Sequence, residues 1–267
     1  MTNIVVSALS IYPVKSCRGI SLSSAQLERF GLKHDRRWMV VDEKSVMLTQ
    51  RKITKMCLIQ PELNSRGLTL KTAAMDALDV EMPLTNNKVS VKVWDDHCQA
   101  FDAGDEAANW LSQVLSTNCR LVYFPDDEFR QVDLNYAKEG DKIAFSDGFP
   151  LLLISQASLE DLNQRLVAPV SMNRFRPNIV VTGCEPFAED TWKEIRLADT
   201  TFRIVKPCSR CVIPAINIET AEREEEPLKT LVSYRKRDKK IFFGQNVIAN
   251  TTAKIDVGIA VEVIEYN

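Results

Sequence analysis

Lys206-Pro207-Cys208-Ser209-Arg210-Cys211-Val212-Ile213-Pro214 gathers two thiols, an arginine, a lysine and two prolines into nine residues. A thiolate attacks electrophiles and ligates soft metals, and nearby cations favour it over the thiol. Arg210 and Lys206 therefore predict a sulfur of lowered pKa. Four chemistries are open to the pair. Buried cysteines can serve as small hydrophobes. Structural zinc needs four ligands, but no second Cys-x-x-Cys exists and the only histidines, His34 and His97, lie far upstream. A thioredoxin-like dithiol needs a strand leading into a helix, whereas residues 201–205 and 215–218 read as strands on both sides. The fourth is a thiolate holding a soft-ligand-seeking metal or cofactor in a basic pocket.

Other stretches offer groups for an anion. Lys15, Ser16 and Arg18 lie in a turn bracketed by Pro13 and Gly19. Arg36 and Arg37 precede the apolar stretch Met39-Val40-Val41, which places them at a strand's mouth. Arg174 and Arg176 precede Ile179-Val180-Val181, and Pro177 keeps Arg176 out of helical geometry. A guanidinium there can clamp an oxyanion through two hydrogen bonds. Ser155 or Ser158 can cap a helix that follows the apolar run 149–154, and a helix N-terminus suits an anion. Gln245 and Asn246, next to Gly244, can read a ligand's polar edge. His97 and Cys98, in a turn after Trp94, read as structural.

These groups need a β-rich scaffold. Residues 68–70, 78–80 and 89–94 alternate with the period of half-buried strands. Short strands at this spacing favour a barrel or sandwich, and residues 46–51 read as one more strand. Residues 105–115 carry the first clear helical pattern, with Ala107, Ala108, Trp110, Leu111, Val114 and Leu115 on one face. Residues 125–141 read as a mobile loop, and Pro227 opens a short helix. The chain has 267 residues, 45% of them apolar, and a net charge of −2. That is enough for a real core, and it argues against nucleic acid as a partner. Seven cysteines without framework spacing predict reduced thiols and a cytoplasmic protein. No signal peptide or membrane-spanning run is expected.

Six motifs in this order carry a resemblance: Pro13-Val14-Lys15-Ser16, Asp35-Arg36, Phe175-Arg176-Pro177-Asn178, Cys208-Ser209-Arg210-Cys211, Pro227-Leu228-Lys229-Thr230-Leu231 and Phe243-Gly244-Gln245-Asn246. Together the chain resembles MOSC-domain proteins with a MOSC N-terminal β-barrel domain, and is similar to bacterial YcbX-type proteins and the mitochondrial amidoxime-reducing component. The resemblance implies an α+β, β-rich fold: an N-terminal β-barrel-like domain, residues 1–120, packed on a C-terminal MOSC β-barrel domain with a few helices, residues 121–267.

The resemblance also implies a molybdenum cofactor, a pterin dithiolene with a terminal phosphate. Cys211 would be the catalytic residue and metal ligand, with Cys208 as second choice. Lys15, Ser16, Arg36, Ser155, Arg176, Asn178, Ser209 and Arg210 would bind the cofactor. Pyridoxal phosphate binding is a further expectation. The implied reaction is reduction of small N-hydroxylated compounds, with the N–O bond broken in a two-electron step and the oxygen leaving as water. Two alternatives accompany it: an enzyme that handles sulfur on the cofactor, and a carrier that binds it without turnover. YcbX-type proteins often add a ferredoxin-like domain. No cysteines follow Cys211 here, so an external electron donor, a flavin or iron–sulfur reductase, is expected, with no membrane association.

Overall fold

Alternating apolar residues make strands throughout. The computed structural model describes residues 3–83 and 88–267. Among them are only three α-helices, Asp105–Leu115, Gln156–Gln164 and Leu228–Arg235. The main sheet runs Ile20–Leu22, Val5–Ile11, Ile179–Thr182, Leu151–Ser155, Lys240–Ala249, Thr200–Ser209, Trp192–Leu197 and Val261–Tyr266. Its only parallel pair, Leu151–Ser155 with Ile179–Thr182, is separated in sequence by the helix Gln156–Gln164. The ends of the sheet meet: Val261 N donates to Ile4 O at 2.8 Å, and Val6 N to Ile259 O at 2.9 Å. The resulting barrel encloses Val6, Leu153, Val181, Ile195, Phe202 and Val247, all fully buried.

A second sheet orders Trp38–Asp42, Cys119–Tyr123, Asp96–Asp102 and Lys88–Val93. Its period-two pattern divides two cores. Trp38, Val40 and Leu121 pack with Ala107, Trp110, Leu111 and Leu115 of the first helix. Met39, Val41 and Val122 pack with Phe124, Ala144 and Phe145. A third sheet, Gln60–Leu63, Gly67–Thr72 and Met75–Glu81, adds Leu68, Leu70 and Val80 to the helix side. The fold is therefore α+β and β-rich, and the first helix spans the residues its periodicity predicts.

Three local expectations fail for physical reasons. Residues 46–51 make only the bridges Val41↔Met47 and Val46↔Lys92 before turning away. After the thiol motif comes a 3₁₀ turn, Ile213–Ala215, not a strand, because Pro214 cannot donate to a ladder. The polar stretch 125–141 is pinned rather than mobile. Arg130, 5% exposed, donates to Ala144 O at 2.8 Å, to Ser146 O at 3.0 Å and to Asp96.

Gly244 has no room for a side chain in the barrel. Its φ is +81°, and a Cβ there would lie 2.9 Å from Leu153 O and 2.6 Å from Ile154 Cγ1. Gly244→Ala is expected to cost at least about 1 kcal/mol of unfolding free energy, read as a lower urea midpoint at unchanged slope.

Candidate cofactor site

A cleft of about 390 Å³ is lined by segments far apart in the chain. Of the predicted residues, Lys15, Ser16, Arg36, Arg176, Asn178, Ser209, Arg210 and Cys211 all face it, and so does Cys208. Ser155 does not. It is fully buried, caps the helix Gln156–Gln164 by accepting from Ser158 N at 3.1 Å, and its own N–H is taken by Glu189 Oε1 at 3.0 Å. The helix cap consumes the serine, and of the two candidates it is Ser155, not Ser158, that caps. Arg37 also turns away, donating to Phe124 O and Asp126. Arg174 is held by Glu224 at 2.7 Å. Gln245 is buried on Asp190 at 2.6 Å.

Backbone conformation aims three of the site residues. Ser16, Arg36 and Arg176 have φ of 71°, 48° and 58°, a left-handed region that costs non-glycine residues energy and clusters at functional sites. The Arg36 turn is fixed from below. Asp35, 1% exposed, accepts from Tyr12 N at 2.7 Å and pairs with the Arg36 guanidinium. Asn178 ties this turn to the barrel: its Oδ1 accepts from Arg36 Nη1 at 3.0 Å and Leu152 N at 3.2 Å, and its Nδ2 donates to Ser10 O at 3.1 Å. Its hydrogen bonds thus hold the wall together. Arg176 donates to Cys17 O at 2.6 Å. Both guanidinium groups lie over the Tyr12 ring, at 4.1 Å for Arg176 and 4.5 Å for Arg36. Burial pushes the Tyr12 hydroxyl up to about 12, so it stays protonated and donates to Pro177 O at 3.1 Å.

The thiol loop leaves the barrel through a bulged strand. Thr200–Ser209 shifts register against Lys240–Ala249 on both sides of Lys206-Pro207. Pro207 has no ladder donor to lose, and bulges re-aim side chains beside sites. Arg210 then donates to Phe175 O at 2.7 Å and to Cys208 Sγ at 3.1 Å. The expected cation–thiol contact is therefore made by Cys208, while Cys211 lines the cleft one turn further on.

The sequence reading missed an acidic corner. Asp147 accepts from Lys15 Nζ, from Trp94 Nε1 at 3.2 Å and from Arg51 Nη2 at 3.3 Å. Lys15 also donates to Phe145 O at 2.7 Å. Lys206 Nζ sits 3.8 Å from the centroid of Tyr136, which belongs to the pinned 125–141 stretch. Partial desolvation works against the charge of Asp147, whose side chain is 54% exposed, but Lys15 and Arg51 hold its carboxyl well below the usual carboxylate range. A depressed folded value stabilises the native state above the ordinary pKa, about 4, and this contribution is lost as pH falls through the folded value. Asp147→Asn should therefore lower the melting temperature at neutral pH, and the gap from the parent should close on acidification, as followed by circular dichroism.

The lining suits a large anion. Six cations, Lys15, Arg36, Arg51, Arg176, Lys206 and Arg210, face the single carboxylate Asp147 in a chain of net charge −2. Three buried polar atoms of the lining, Arg51 Nε, Ser146 Oγ and Arg210 Nε, have no partner among the described residues. Unmet buried donors favour a ligand that can accept from them. Among the described residues no three His, Cys, Asp or Glu side chains converge as a metal-ligand set. A metal here would need most of its ligands from another molecule, with a protein thiolate completing them.

The MOSC N-terminal beta barrel domain matches residues 3–118, and the MOSC domain matches residues 140–262. Mitochondrial amidoxime-reducing component 1 of Mus musculus is 37% identical over 95% of this chain and 80% of its own length. The chain belongs to the MOSC family. Among its MOSC relatives, mitochondrial amidoxime reducing component 2 of Bos taurus is 37% identical over 86% of this chain and 72% of its own. Molybdenum cofactor sulfurase 2 of Culex quinquefasciatus is 35% identical over 84% of this chain, but only 31% of its own length is covered. The cytoplasmic expectation is overturned by the amidoxime-reducing components, whose names place them in mitochondria. Cysteines without framework spacing do not single out the cytoplasm among compartments that keep thiols reduced. Among the described residues no helix is long and apolar enough to cross a membrane.

Proposed function

We propose that this MOSC protein holds the molybdenum cofactor in the cleft and reduces N-hydroxylated compounds there. The observation that carries the reading is the convergence of six cations, three unpartnered buried polar atoms and the Cys211 thiol on one cavity. The amidoxime-reducing relatives point the same way, and their names favour a mitochondrial setting.

The protein's residues would act as follows. Arg36, Arg176 and Arg210 meet the cofactor's anionic groups, helped by Ser16 and Ser209 at the wall and rim. Arg51 Nε, Ser146 Oγ and Arg210 Nε gain acceptors or donors that the described residues do not provide. Asn178 and Asp35 hold the Arg36 turn in place. Cys211 supplies a soft thiolate to the metal. When bound, the cofactor supplies the two electrons that, with two protons, convert an N–OH group to N–H and water. The electrons come from a partner, a flavin or iron–sulfur reductase. Pyridoxal phosphate fits less well because its usual chemistry needs a free lysine amine. Lys15 is engaged by Phe145 and Asp147, and Lys206 lies on Tyr136. The sulfur-handling alternative draws on the mosquito relative, of which this chain covers a minor part.

The test is protein purified from a host that makes the cofactor. Near-stoichiometric molybdenum and pterin, with conversion of benzamidoxime to benzamidine under an artificial reductant, is the expected result. Absence of both metal and pterin despite adequate supply would overturn the reading. A loaded protein without turnover would leave the carrier.

A further inference from the structure

Trp94 lines the cleft from a strained backbone. It is the first of two residues joining Lys88–Val93 to Asp96–Asp102, where Asp96 pairs with Val93. Its φ is 56°. Two-residue hairpins favour glycine, asparagine or aspartate at such a position, and a bulky residue there is an outlier. The strained turn presents the indole to the cleft wall. Three contacts fix it: its Nε1 donates to Asp147 Oδ1 at 3.2 Å, the Arg51 guanidinium lies 4.3 Å from its ring centroid, and Lys15 Nζ lies 5.9 Å away. The other three tryptophans, Trp38, Trp110 and Trp192, are 3%, 6% and 1% exposed and sit in cores. Trp94 alone among the four is partly open.

A ring locked in this way is a stacking platform. Its nitrogen is tied down and its plane is set by a guanidinium, so it adds flat apolar surface to a cleft otherwise crowded with charge. We infer that Trp94, braced by Arg51 and Asp147, is a specificity-determining residue that selects N-hydroxylated substrates in which an aromatic or heteroaromatic ring is joined to the carbon bearing the N–OH group. The inference rests on the reductase reading. Asp147 is a positioning residue, acting on the substrate through the indole, while Arg51 braces the ring and also faces the cofactor.

The experiment compares benzamidoxime with acetamidoxime on cofactor-loaded parent, Trp94→Gly and Trp94→Phe under an artificial reductant. Trp94→Gly suits the turn, so its melting temperature should equal or exceed the parent's. Its preference for the aryl substrate in kcat/KM should fall about tenfold, the worth of one aromatic contact, with the loss in KM rather than kcat. Trp94→Phe, which keeps a ring without the Nε1 donor, should lie between. Equal losses on both substrates, or a loss in kcat accompanied by lower molybdenum content, would make Trp94 a structural wedge and overturn the inference. A second readout does not depend on turnover: benzamidoxime should quench the parent's tryptophan fluorescence and leave that of Trp94→Phe unaltered. Identical quenching in both would also overturn it. Should the loaded parent reduce neither compound, the reductase reading fails, and the fluorescence titration still decides whether Trp94 stacks with an aryl ligand.

Discussion

Cys211→Ala is expected to purify folded but with molybdenum content at least about tenfold below the parent, since even groups that merely support a metal ligand change affinity about 10–100-fold. Reductase activity should vanish with the metal. Cys208→Ala is the informative partner. Cys208 Sγ accepts from Arg210 Nη1 at 3.1 Å, so its loss frees a guanidinium hydrogen without removing the thiol that lines the cleft beyond it. Cys208→Ala should therefore retain most of the metal. Metal analysis by plasma mass spectrometry and fluorescence of the oxidised pterin check both variants. The reverse pattern, with Cys208→Ala empty and Cys211→Ala loaded, would transfer the ligand role to Cys208.

The largest stability effect is expected at Asp35. Its side chain is inaccessible while that of Arg36 is 14% exposed, and it also accepts the Tyr12 amide at 2.7 Å. Removing one member of a buried ion pair leaves the other uncompensated, at a cost of about 3–5 kcal/mol. Asp35→Ala should lose stability in that range by urea unfolding. Because Arg36 holds a left-handed backbone over this carboxylate, cofactor content should fall too. Asp35→Asn keeps an acceptor for Tyr12 N and should lose less stability while still disturbing Arg36. Unfolding curves for both variants that overlay the parent's would show that Asp35 does not hold the turn.

Much of this arrangement was legible in the chain. Charged residues beside buried strands marked Lys15, Arg36 and Arg176 as candidates, but equally Arg37 and Arg174, which turn away; the resemblance carried by the six motifs made the selection. The helix Asp105–Leu115 was legible because its apolar residues recur with helical period and face the second sheet. Ser155 misled because a serine that caps a helix and one that binds an anion look alike in sequence. The structure shows the cap already using its oxygen. Arg51, Trp94 and Asp147 were missed because each sits in an ordinary polar turn and their meeting is purely tertiary. The strained backbones of Ser16, Arg36, Arg176 and Trp94 carry no local signal, since none is glycine, asparagine or aspartate. The Ala215–Ile218 strand failed because β-branched residues outweighed Pro214 in the reading, whereas the missing N–H decides the fold.

The first strand has a consequence for synthesis. Val5–Ile11 leaves the ribosome early, but its partner Ile179–Thr182 follows some 170 residues later, and the sheet closes on it only when Ile259 and Val261 arrive. Lys15 and Ser16, directly after that strand, likewise wait for Cys211. Pairings this distant are slow to form, so until residues 179–182 emerge the first strand has only the short strand Ile20–Leu22 as its partner in this sheet.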